Sequence, residues 1–126
     1  MQNAAFAALG LDWEYVAWEV ESQELEAVLE RLAGLGYAGA NVTAPYKRDV
    51  ARLAGARVES VNTLLFAPLR ATSTDAAILD GLEHEQAVIV GDGGAAAAFR
   101  AALPDARVFS RRGEWPPETA GADLVV

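Results

Sequence analysis

One lysine stands among ten cationic residues, at position 47, and arginine fills every other cationic position. An amine can shed and regain a proton near neutral pH when partly buried, whereas a guanidinium stays charged. Lys47 is therefore a candidate general acid or base, and Asp75 is its natural partner, because a carboxylate beside an ammonium fixes its position and shares its proton. On spacing alone a plainer alternative stands: Lys47 as a surface residue in the first turn of a helix and Asp75 as a helix cap. A second candidate is Gly91-Asp92-Gly93-Gly94-Ala95-Ala96, which fits the dinucleotide-binding fingerprint with alanine in the third small position. Gly91 permits the tight turn, Gly93 lets the backbone approach a pyrophosphate, and a small residue at 96 lets the helix pack closely on the strand. The helix N-terminus adds amide donors and the positive end of its dipole. The cofactor-binding residues expected here are Gly91, Gly93, Gly94 and Ala95, against the alternative of an ordinary strand-to-helix turn. Asp92 works against the assignment, since a carboxylate beside a phosphate weakens binding unless it points away. The third candidate is Ser110-Arg111-Arg112, at the strand end where an adenosine ribose would lie. An acidic residue there favours a free 2′-hydroxyl and arginine accommodates a 2′-phosphate, so Ser110, Arg111 and Arg112 point to NADP over NAD. The alternative is two solvated arginines on a loop.

These groups need elements to hold them, and the pattern alternates helical and extended segments, an α/β arrangement with mostly parallel strands. Residues 3–9 read as a short alanine-rich helix stopped at Gly10, and 13–20 (WEYVAWEV) as a half-buried strand. Ser22 is placed to cap a helix to about Ala33, because Leu25, Val28, Leu29 and Leu32 recur at helical spacing before Gly34 and Gly36. Residues 38–42 read as a buried strand. Pro45 suits the first turn of the next helix, with Lys47 in that same turn. Residues 58–66 read as extended, and Thr74 or Asp75 as the cap of a helix carrying Ile78, Leu79 and Leu82. The polar stretch 83–86 reads as a linker and holds His84, the only histidine, expected to face solvent. After it come a strand at 87–90, the glycine turn, a small-residue helix at 95–103, a strand at 107–109 and another beginning at 123. The expected organisation is an N-terminal α/β lobe over 1–84 and a partial Rossmann-like lobe over 85–126.

The 126 residues are 52% hydrophobic and 22% charged, enough apolar matter for a core and too little charge for wholesale disorder. Acidic residues number 18 against the 10 basic ones, for a net charge of −8, so the surface repels phosphate backbones and no nucleic-acid partner is expected. There are no cysteines, which excludes disulfide scaffolds, thiolate metal sites and cysteine nucleophiles. No apolar run reaches the roughly 20 residues that span a bilayer, and no signal segment opens the chain, so a cytoplasmic protein without a membrane partner is expected. Nothing in the residues sets the oligomeric state.

Asn41-Val-Thr-Ala-Pro-Tyr-Lys47 resembles the N-V-T-x-P-x-K signature of the shikimate dehydrogenase family. Further segments follow in the family's order. Ser60-Val-Asn-Thr-Leu64 is similar to its A-V-N-T-L, Ser73-Thr-Asp75 to N-T-D, Gly91-Asp-Gly-Gly-Ala95 to G-A-G-G-A, Ser110-Arg111 to N-R-T, and Ala122 to Val126 to the strand before N-A-T-P. Gln2-Asn3-Ala-Ala-Phe6 is similar to its H-N-A-A-F. The likeness covers nearly the whole chain, and an ordered series is far more specific than any single member.

The resemblance implies a substrate-binding lobe followed by an NADP-binding lobe, and reversible reduction of 3-dehydroshikimate to shikimate in chorismate and aromatic amino-acid synthesis. It makes Lys47 and Asp75 the catalytic pair, and Thr43, Asn62 and Asp75 binders of the small-molecule substrate, with no metal. Measured against the family, the chain lacks the first strand and its serine-rich substrate loop, and about half of the cofactor lobe with the closing helices. Ser73 replaces asparagine, and Ala71 and Ala76 replace flanking glycines. These departures keep two other expectations open: a catalytically silent dinucleotide-binding or interaction module on the same fold, and a quinate/shikimate dehydrogenase using NAD.

Overall fold

The computed structural model describes residues 1–126. Two three-stranded sheets organise the chain. The first holds β1 (Gly39–Asn41), β2 (Thr63–Phe66) and β3 (Leu69–Thr72) in that order, antiparallel throughout, with Ala40 opposite Leu64 and Leu64 opposite Ala71. The second has the order β5-β4-β6, with β4 (Ala87–Val90) parallel to both β5 (Arg107–Phe109) and β6 (Leu124–Val125). The expectation of mostly parallel strands thus holds in the second sheet and fails in the first. The reason is β3, which the sequence reading missed: Ala67-Pro68 is a tight connection that folds Leu69–Thr72 straight back onto β2.

Four helices flank the sheets: α1 (Gln2–Ala8), α2 (Leu25–Gly34), α3 (Lys47–Leu53) and α4 (Gly94–Ala102). The helical spacing of α2 does what it predicts, for Leu25 and Leu32 are buried and Val28 and Leu29 half-buried, with Leu25 and Leu29 packed into the core beside β2. Ser22 is not its cap, because residues 22–24 form a 3-10 turn leading into the helix and the serine makes no capping bond. Pro45 lies in the turn before α3, so the fixed proline φ shapes the approach to the helix and Lys47 becomes its first residue. The helix expected after Thr74 is a short 3-10 segment, Asp75–Leu79, in which only Leu79 reaches a core while Ile78 and Leu82 stay exposed. Small residues in α4 allow close packing: Ala96 joins Ile89 of β4 in one core, and Ala97 is buried as well.

Residues 13–20 do not form a strand. An apolar groove of about 470 Å³, walled by Trp18, Val20, Leu25, Leu29 and Val42, separates them from β1, so their backbone has no ladder partner. Other bonds hold the segment. The Asn3 amide brackets Tyr15, donating to its carbonyl at 2.9 Å and accepting its N–H at 2.6 Å, and Trp13 and Trp18 meet Phe6 and Tyr37 edge-on. The Tyr46 hydroxyl donates to the Val20 carbonyl at 2.7 Å.

Only 13 of the 126 residues are buried, so each core is small and single contacts weigh heavily. Leu25, Val50, Ala51, Val61 and Leu64 make the first core; Ile89, Ala96 and Leu103, with Leu79, Phe99, Val108 and Leu124 around them, make the second. Leu79 thus packs the 3-10 turn of the first half into the core of the second. No helix is long and apolar enough to cross a membrane. His84 is exposed, as expected.

The start of β4 is fixed by Asp123, whose two oxygens accept the Glu85 and Gln86 N–H groups at 2.8 and 2.9 Å. Those bonds hold its carboxyl below the ordinary value of 3.8, with a smaller contribution from His84. A carboxyl whose folded pKa lies below its unfolded one stabilises fully above the unfolded value and loses that contribution as pH falls through the folded one. Urea unfolding of the natural chain should therefore steepen in its pH dependence below about pH 4, and Asp123→Asn should flatten that part of the curve. Equal acid sensitivity in both proteins would remove Asp123 from the account.

Candidate functional site

Lys47 opens α3 and Asp75 opens the 3-10 turn after β3, and the fold brings them together. Lys47 Nζ donates to Asp75 Oδ2 at 2.7 Å, with 18% and 16% of the two side chains exposed. The pair is shielded enough to be stronger than a surface ion pair, yet open on one side to a ligand. Asp75 is not a cap; its carboxylate is committed to side chains.

Asn62, just before β2, supplies the second donor to that carboxylate. Its Nδ2 gives to Asp75 Oδ1 at 2.8 Å and to Thr74 Oγ1 at 3.0 Å, while its Oδ1 accepts the Thr74 N–H at 3.0 Å and the Thr63 hydroxyl at 2.9 Å. The Thr74 amide can only donate, so the Asn62 amide cannot be reversed without losing bonds at both ends. Asp75 consequently accepts through both oxygens, one for each neighbour. Ser73 keeps the local turn by accepting the Asp75 N–H on its Oγ at 3.4 Å. Thr63 and Thr74 belong to this set as well, Thr74 being placed by the sequence only as a helix cap and Thr63 given no role there. Their signal was available, since both neighbour expected site residues and carry hydroxyls. Thr43 lies apart from the hydrogen-bonded set: it is exposed in the β1–α3 connection, accepts the Tyr46 N–H on its carbonyl at 3.1 Å and borders the apolar groove.

The glycine turn has the features a phosphate cradle requires. Gly91 sits at φ +136°, a conformation that side-chain-bearing residues rarely adopt, and Gly93 is extended with open space where a Cβ would stand. The amides of Gly94, Ala95 and Ala96 have no backbone acceptor, because the first helical bond of α4 is Ala97 N–H to Gly93 C=O at 3.1 Å. Asp92 leans toward Arg112, with 3.5 Å between Oδ2 and Nη1, so an arginine offsets the opposing charge noted in the sequence. Arg111 lies over the Trp115 ring at 5.9 Å from its centroid. Ser110 anchors the loop, its N–H reaching the Glu114 carbonyl at 3.2 Å and its carbonyl taking the Gly113 N–H at 3.0 Å. Both arginines are exposed, Arg112 in its contact with Asp92 and Arg111 over Trp115. No group of three side chains suited to a metal ion occurs.

The amine and the turn adjoin, for a side chain at Gly94 would run into the Lys47 stem. A glycine turn between strand and helix, set against a lysine, carboxylate and amide cluster, defines the class: a two-sheet α/β protein whose glycine turn borders that cluster. A family model described as the shikimate dehydrogenase substrate binding domain matches residues 1–64. The chain belongs to the shikimate dehydrogenase family. The "Shikimate dehydrogenase (NADP(+))" of Natronomonas pharaonis is 37% identical over 118 residues, covering 83% of this chain and 45% of the relative. Among solved structures, shikimate 5-dehydrogenase from Thermus thermophilus in complex with shikimate aligns with a TM-score of 0.73 at 27% identity, over 87% of this chain and 49% of that one. A shikimate dehydrogenase in complex with NADP+ aligns at 0.67 and 30% identity, over 86% and 44%. The chain spans about half the length of the relatives it matches.

Proposed function

We propose that this chain supplies the substrate-binding lobe, residues 1–84, and the opening strands of the cofactor lobe, residues 85–126, of an NADP-dependent shikimate dehydrogenase. The reaction is reversible reduction of 3-dehydroshikimate to shikimate. The observation that carries the reading is the Lys47–Asp75–Asn62 cluster beside the glycine turn. NADP, when bound, accepts or supplies the hydride. The residues present fit it: Gly91, Gly93 and the free amides of Gly94 to Ala96 would hold the pyrophosphate, and Ser110, Arg111 and Arg112 the 2′-phosphate.

The chain's own residues handle binding and the proton. The Lys47 ammonium is oriented by Asp75 and donates a proton to the ketone oxygen of the substrate during reduction, or as the amine accepts it from the corresponding hydroxyl in the reverse direction. Asp75 stabilises the charged form and offers its carboxylate to a neighbouring substrate hydroxyl. Asn62 holds Asp75 in place and shares in substrate binding, and Thr43 enters the substrate-binding set only through the family likeness. A positioned group of this kind contributes about 10²- to 10⁴-fold in rate.

Cofactor choice is the direct test of the second lobe. Calorimetry should show NADP+ binding at least about tenfold tighter than NAD+, and the double variant Arg111→Ala/Arg112→Ala should erase the difference by weakening NADP+ alone. Equal affinities in the natural chain would exclude the arginines from cofactor recognition.

A further inference from the structure

Gly94 lies where the two halves of the molecule touch. A Cβ built on it would stand 2.7 Å from Ser60 Oγ, 2.9 Å from Lys47 Cδ and 3.0 Å from Lys47 Cβ. The buried Ser60 side chain is the nearest obstacle and Lys47 Cβ is held by the backbone of α3, so a methyl group here would separate α3 from α4 or push the lysine stem aside. By contrast, a Cβ at Gly93, one residue earlier in the same turn, would meet nothing within 4 Å. The fingerprint explains a small residue at 91, 93 and 96 through the turn, the phosphate and the strand. It gives no reason for a bare backbone at 94, whose contacts all belong to the other half of the chain.

Other contacts make this a fixed junction. Ser60 is 2% exposed with no partner for its Oγ, and its neighbour Glu59 reaches Arg48 of α3 at 2.9 Å and Arg100 of α4 at 4.0 Å. Leu79, at the end of the turn that Asp75 begins, packs into the core beneath α4. The first turn of α4 is thus braced against the lysine, and the turn bearing the carboxylate is anchored under the same helix.

The geometry points to Gly94 as a positioning residue for Lys47: the contact that seats the start of α4 also sets where the amine stands, so the nucleotide turn and the proton-handling pair move as one body. The consequence for turnover rests on the proposed dehydrogenase reading, but the contact itself does not, and its test needs neither substrate nor cofactor. Because Lys47 is the only lysine, amine-selective acylation followed by peptide mass analysis reports on this side chain alone. In the ligand-free chain, Gly94→Ala should raise the labelling rate of Lys47 by roughly fivefold or more, as local packing over the stem loosens. Gly93→Ala should leave it within about twofold of the natural rate, since its methyl group meets open space. Adding Ser60→Gly to Gly94→Ala should return part of the protection by making room for the methyl group. Unchanged labelling in a folded Gly94→Ala protein would overturn the proposal, and so would an equal rise in Gly93→Ala. Should Gly94→Ala alone unfold, recovery of the fold on adding Ser60→Gly supports the junction, and failure to recover counts against it.

Discussion

Lys47→Ala should lower NADP+-linked shikimate oxidation by about 10²- to 10⁴-fold, mostly in kcat, because it deletes the only lysine of the chain and with it the amine that Asp75 orients. The measurement is best made with this chain replacing the matching half of the Natronomonas pharaonis relative, so that segments beyond it are supplied. The loss in rate should exceed what the unpaired Asp75 carboxylate costs in stability. Lys47 is the first residue of its helix and 18% of its side chain is exposed, so truncation leaves a hole that opens to solvent. A small primary alkylamine added to the assay should therefore restore part of the rate, more so at higher pH as its free-base fraction grows, whereas a tertiary amine too bulky for the hole should restore none. A variant as fast as the natural protein would remove Lys47 from the chemistry.

Asp75 carries the second large effect, and two substitutions separate its parts. Asp75→Ala leaves a shielded ammonium without its counter-charge and an Asn62 amide without an acceptor. It should cost about 1 to 3 kcal/mol, at the low end because some of each side chain remains in water. Asp75→Asn keeps the shape but has a single acceptor oxygen, and both neighbours are donors. One of them must face an NH₂ group, so the amide cannot satisfy Lys47 and Asn62 together. Its stability should fall by less than that of the alanine variant, while the rate should drop by about 10²-fold or more through the displaced amine. If Asp75→Asn matches the natural protein in rate, the carboxylate has no part in orienting Lys47.

The sequence showed much of this because several local signals are self-contained. A four-residue apolar run before a glycine turn and a small-residue helix reads as a strand feeding that helix, and β4, β5 and the start of β6 lie within a residue of expectation. The leucines of α2 declare their buried face by spacing alone. Residues 13–20 mislead for the opposite reason: their alternation satisfies the side-chain requirement of a strand, but a ladder needs a partner backbone, and a groove lies where one would be. β3 escaped notice because Arg70 and its exposed neighbours give it little apolar character, while its place is set by the tight Ala67-Pro68 connection.

At the site, the pairing of residues 47 and 75 was not legible from spacing, and came from the ordered series of segments. The surrounding bonds were less visible still. Asn62 reads as a substrate binder by resemblance, yet its four hydrogen bonds show it also dictating which atoms of Asp75 face the lysine. The burial of Ser60 and the contact beneath Gly94 join segments some 34 to 47 positions apart in the numbering of the chain, and local pattern holds no record of such meetings.

The central claim is that this chain's cluster and glycine turn form a working dehydrogenase site. Its most direct test is the steady-state reduction of NADP+ by shikimate in the folded chimera carrying the natural residues 1–126, compared with the parent relative. The account predicts saturable turnover with both ligands, within about two orders of magnitude of the parent. A chimera that folds, binds NADP+ and yet turns over no faster than its Lys47→Ala variant would contradict it.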